Sequence, residues 1–241
     1  MDVVSIRRWT GWAGVGTWAL TLVVLPLYFI VDGPPPPGNV IGRSLLNTLA
    51  CVALLGFLVG FRQLAGGAAR RTEPAATLAL ALGAVFVSVT LVADSLQVGA
   101  VLAAGGEVDP TTVGSGGEGA LLIYGPTARL LSALLLVAAG WAGMTSEVLS
   151  RGLGRAAYAL ALLHVALAPS AFAGTSPANF YDLNGWGVAT AGGLLVTWIG
   201  LVGATLLRRR TSSVAGPSPT TRQAAIASVP TGMGNEGPPS N

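Results

Sequence analysis

Four ionisable side chains interrupt stretches that are otherwise apolar: Arg43, Asp94, Arg129 and His164. A charge in such surroundings is costly to keep, so each residue marks a candidate site. Arginine and a carboxylate can meet through two parallel N–H···O bonds, and an imidazole adds one donor or acceptor at each ring nitrogen. Polar residues accompany them at helical spacing. Asn47 is at i+4 from Arg43, Gln97 is at i+3 from Asp94, and Tyr124 precedes Arg129 by about a turn. Arg43, Asn47, Asp94, Gln97, Tyr124, Arg129 and His164 therefore form one candidate ligand-binding set.

The elements that position them follow from composition. Of 241 residues, 52% are hydrophobic and 10% charged, against about a quarter charged in a soluble domain. Mean hydropathy is +0.67. All 13 basic residues are arginine. These values exclude a disordered chain, a fibrous protein, a disulfide-rich module and an ordinary soluble enzyme. The single cysteine, Cys51, has no internal partner and reads as a small buried hydrophobe. The net charge of +3 does not gather on one basic face, which argues against a nucleic-acid partner.

Six stretches reach the ~20 apolar residues that cross a bilayer as helix: 11–31, 41–61, 76–104, 120–144, 153–172 and 186–207. The expected fold is an all-α bundle of six transmembrane helices over residues 1–210, followed by a disordered Ser/Thr/Pro/Gly-rich tail over 211–241. Segment 32–39 reads DGPPPPGN and breaks the helix. Segments 105–119 and 174–185 read as loops. Eleven arginines (7, 8, 62, 70, 71, 151, 155, 208, 209, 210 and 222) fall on alternate sides of the spans, which is one side of the membrane. The opposite loops hold Asp32, Glu107, Asp109, Glu118 and Asp182 and no arginine. The positive-inside rule then puts both termini in the cytoplasm of a bacterial plasma membrane. Trp9, Trp12, Phe61 and Trp141 fit the inner interface, and Tyr28, Phe29, Phe180, Tyr181 and Trp186 the outer one. Arg7-Arg8 and the apolar run after it read as an uncleaved first helix rather than a signal peptide.

Counting inward at 1.5 Å per residue puts Asp94, Arg129 and His164 at a common depth of about 12–15 Å from the outer end, with Arg43 and Asn47 shallower. Spans three and four are consecutive, so an Asp94–Arg129 ion pair is expected, with His164 as a third member. Three uses fit such a layer: helix-packing glue, a ligand pocket, or a proton or ion relay.

Weaker signals surround it. Gly56-x-x-x-Gly60 suits close helix packing, though a chain with 34 glycines contains such motifs by chance. Pro26, Pro126 and Pro169 can kink their spans. A single histidine excludes bis-histidine haem and multi-histidine metal sites, so no metal or cofactor is expected. No phosphate-binding or dinucleotide fingerprint appears. Ser44 is too shallow to pair with His164 as a nucleophile and base. The balance leans against an enzyme.

Three stretches resemble uncharacterised multi-pass membrane proteins of actinobacteria: Arg7-Arg8-Trp9-Thr10-Gly11-Trp12-Ala13-Gly14, FLVGFRQL over 57–64, and Val89-Thr90-Leu91-Val92-Ala93-Asp94-Ser95-Leu96. The arginine-only basic set and the Ala/Gly/Val/Leu weight fit such a source. The resemblance covers about residues 5–207 and implies a membrane bundle. It implies no activity, and it adds weight to Asp94. Two functions stay open. Either the layer binds a small solute or lipid head group, with or without transport, or the chain is a structural or regulatory partner of a membrane protein or of its own copies, and the layer is glue.

Overall fold

The computed structural model describes residues 2–28, 33–68, 70–111, 114–174, 179–183 and 185–208. They form seven α-helices: α1 (Val3–Leu27), α2 (Pro37–Ala68), α3 (Glu73–Ala104), α4 (Gly114–Leu122), α5 (Ala128–Thr145), α6 (Arg151–Leu167) and α7 (Trp186–Arg208). A π-helical turn, Ile123–Thr127, joins α4 to α5, and a 3-10 turn, Ala168–Phe172, extends α6. No strand occurs among the described residues. Six helical segments there are long and apolar enough to span a membrane, α4 to α5 counting as one from Gly116 to Thr145. This is the build of a multi-pass membrane protein.

Local chemistry sets the ends. The Asp2 carboxylate accepts the Ser5 N–H at 2.9 Å and caps α1, and that bond holds its carboxyl below the usual carboxylate range. Ser150 caps α6 through the Leu153 N–H. Pro37 opens α2, where its missing N–H costs nothing. Gly105, at φ 65°, closes α3 in the left-handed conformation that favours glycine. Inside the helices, hydroxyls bond back to carbonyls one turn earlier, as Thr17 does to Ala13 and Thr21 to Thr17.

Several boundaries differ from expectation. The first helix starts at Val3, so Arg7, Arg8, Trp9 and Trp12 are helical. The loop expected over 105–119 is shorter, because helix resumes at Gly114. Phe61 is not interfacial. It shares one face of α2 with Phe57, Leu54 and Leu58, is 1% exposed, and stacks on Phe57 at 6.0 Å. The expectations for Phe29, Asp32, Arg209, Arg210, Arg222 and the tail fall outside the described residues.

Consecutive spans are neighbours, and the last meets the first. The contacts run α1–α2–α3–α5–α6–α7 and back to α1, closing a ring. Gly56 and Gly60 face α1, where Trp9 and Thr10 pack against them, so the GxxxG motif does mark a helix seam. A Cβ at Gly203 of α7 would lie 2.7 Å from the Gly11 carbonyl oxygen of α1. The apolar core, including Phe57, Phe61, Ala79, Leu136, Ala139, Ile199 and Val202, fills the end of the ring that carries the start of α1 and the end of α7. Trp198 fastens that end by donating its indole N–H to the Leu153 carbonyl of α6 at 2.9 Å. The opposite end is not filled by apolar side chains, and the candidate residues gather there.

Candidate functional site

Antiparallel α2 and α3 build the first half of the site as two rungs. Asn47 donates through Nδ2 to Asp94 Oδ2 at 2.6 Å, and Arg43 donates through Nη2 to Gln97 Oε1 at 3.4 Å. One helical turn on α2, from 43 to 47, matches one turn back on α3, from 97 to 94. The Arg43 guanidinium also lies 4.3 Å from the centre of the Tyr28 ring, a cation–π contact. Tyr124 donates its hydroxyl to Asp94 Oδ1. Each carboxylate oxygen of Asp94 is therefore engaged by a neutral side chain.

The π turn builds the second half. Pro126 has no N–H to give, and Gly125 leaves helical geometry at φ −76°, ψ −111°. The Ala128 N–H bonds to the Gly125 and Ile123 carbonyls and bypasses that of Tyr124. The Tyr124 carbonyl instead stands 3.5 Å from Arg129 Nη2. The break thus turns the Tyr124 ring toward Asp94 and leaves its backbone oxygen for Arg129.

The expected Asp94–Arg129 ion pair is not made. The ion pair among the described residues is Arg62–Glu73, exposed, at 3.5 Å. Arg129 turns to α6, where Nη1 lies 3.5 Å from His164 Nδ1. The direction in which each side chain leaves its helix decides the outcome. An extra residue in the π turn swings everything after it by about 100° around the helix axis. Straight-helix counting cannot see that swing.

The Arg129–His164 end is left short of acceptors. Arg129 is 6% exposed and His164 is fully buried. A guanidinium only donates, so Nδ1 facing it acts as acceptor and the ring proton resides on Nε2. The Nε2 edge of the ring faces the Ala191 backbone of α7 rather than the cavity, and Arg129 Nε makes no hydrogen bond. Buried donors without acceptors cost roughly 1–3 kcal/mol each.

A cavity of about 560 Å³ borders these groups. Its wall includes Arg43, Asn47, Gln97, Tyr124, Arg129 and His164. Asp94 stands behind Asn47 and Tyr124 and is not part of the wall. The cavity runs from Pro35, Asp109 and Trp186 at the loop end down to Ser132 and Ile199 above the apolar core. Of the wall residues outside the sequence-predicted set, two stand next to the arginines. Ser132, at i+3 from Arg129, was legible by the spacing that found Asn47. Tyr28 was read as an interface aromatic, and its stacking on Arg43 had no local signal.

Tyr124→Phe isolates one strut. Loss of a buried hydroxyl bond to a carboxylate is expected to cost about 2 kcal/mol, read as a lower thermal midpoint in detergent. An unchanged midpoint would show that the bond carries nothing.

The fold and site define a ring of six membrane-length helices around a cavity with a mostly apolar wall, which includes a buried arginine that makes no ion pair among the described residues. No known protein family, curated protein or solved structure matches the chain.

Proposed function

We propose that the protein binds a small polar solute or a lipid head group in this cavity, as a receptor or in the course of transport. In this reading it is a multi-pass protein of a bacterial plasma membrane with both termini cytoplasmic. The one-sided arginines support that orientation. The cavity then opens toward the outer face. The observation that carries the reading is the buried, acceptor-poor Arg129 on the wall of a 560 Å³ cavity. That volume is within the range of small-molecule sites.

The competing reading treats the layer as packing glue for a structural or regulatory membrane partner. Glue satisfies itself. The Asp94 half does so, through Asn47 and Tyr124, whereas Arg129, on the cavity wall, keeps its Nε without a partner.

Native mass spectrometry of protein taken from membranes in mild detergent, with extraction of lipids and metabolites, tests the proposal. A species of defined mass is expected on the wild type and absent from Arg129→Gln. Protein that is empty in both, with the same stability, would contradict it.

A further inference from the structure

Resting on the binding reading above, the geometry points to one occupant class. We propose an anionic phospholipid, its phosphate against Arg129, its hydrocarbon leaving the ring sideways between α1 and α7. The first support is charge. Arg129 is 6% exposed, makes no ion pair among the described residues, and has its Nε without a partner. A buried guanidinium with a free N–H suits a phosphate oxygen, which accepts several hydrogen bonds and returns the desolvation cost of the cation.

The second support is the shape of the α1–α7 seam. Toward the termini the two helices touch closely. Gly14 lies under the Ile199 carbonyl, where a Cβ would sit 3.1 Å away, and Gly200 lies under Trp18, whose Cγ would sit 2.7 Å away. Farther along, the seam opens. A Cβ at Gly192 or Gly193 meets nothing within 4 Å, and both glycines line the cavity. The rest of this wall is largely apolar, with Leu22 and Leu25 from α1 and Ala189 and Val196 from α7. Leu22 and Leu25 are 44% and 40% exposed. An apolar cleft continuous with a polar pocket matches an amphiphile, head inward and tail outward. The cavity is too small for a whole two-chain lipid, so the chains must pass out through the cleft.

The third support concerns access. Asp109 lines the loop-end opening, and the loops at that end carry acids and no arginine. Such a mouth repels a free anion arriving from water. A lipid already in the bilayer avoids it by the side route.

The test uses the full chain, delipidated in a neutral maltoside detergent and titrated with phosphatidylglycerol, phosphatidylcholine and glycerol 3-phosphate. Thermal shift and native mass spectrometry report binding. Phosphatidylglycerol is expected to bind at least about tenfold tighter than either other probe. Arg129→Gln should reduce it to the level of phosphatidylcholine, and Arg129→Lys, which keeps the charge, should retain the preference. Gly193→Phe, placing a ring in the open cleft, should weaken phosphatidylglycerol by a similar factor; Gly193→Leu serves if the larger variant does not fold. Equal binding of glycerol 3-phosphate and phosphatidylglycerol would overturn the lipid inference and leave the pocket standing. Equal binding of the two lipids would overturn the role of charge. Failure of all three probes, with nothing co-purifying, would overturn the inference and the binding reading together.

Discussion

Arg129→Met is expected to make the empty protein more stable, by on the order of 2 kcal/mol or about 4–8 °C, while removing its ligand. The arginine is buried, its polar contacts are long at 3.5 Å, and no carboxylate returns its desolvation cost. Methionine has similar length and flexibility and brings no charge. The result separates two accounts by sign. A residue that glues the bundle lowers the thermal midpoint when removed. A residue kept for binding raises it, the pattern of sites that trade stability for function. Unfolding of delipidated wild type and variant, side by side in one detergent, reads the difference. A fall of similar size would assign Arg129 to packing.

Exchanging the two charges, Asp94→Arg with Arg129→Asp, is expected to rescue nothing. Asp94 serves Asn47 and Tyr124 as an acceptor, and its removal leaves two half-buried donors, at a cost of about 2 kcal/mol. A guanidinium in its place adds donors where acceptors are needed. An aspartate at 129 has lost the reach of arginine toward His164 and meets the Tyr124 carbonyl, oxygen to oxygen. In a double-mutant cycle, the coupling should lie within about 0.5 kcal/mol of zero or be unfavourable. Recovery of most of the lost stability by the exchange would re-establish a direct pair.

The sequence made the spans legible because a bilayer imposes length and apolarity together, and no soluble alternative fits a chain with so few charges. It also made the depth of the site legible. Residues 43, 47, 94, 97, 124, 129 and 164 converge at one end of the ring because rise per residue is nearly constant in any helix. Rotation is not constant. One proline and one non-helical glycine, Pro126 and Gly125, swing Arg129 from α3 to α6, and the partner changes from Asp94 to His164. Closure of the ring was likewise illegible. Gly11, Gly14, Gly200 and Gly203 are ordinary glycines in a glycine-rich chain until α1 and α7 meet there. Gly192 and Gly193, on the same helix as Gly200 and Gly203, mark the place where the same two helices part. Tyr28 stacks on Arg43 only because the end of α1 lies over α2.

The central claim is that the cavity ends at a cation waiting for an anionic group. The most direct measurement is an experimental density map of the protein taken from its membrane without delipidation. The expected result is non-protein density within hydrogen-bonding distance of Arg129, with Asp94 still held by Asn47 and Tyr124. A closed layer with Arg129 bridged to Asp94, and no density beside either, would contradict it.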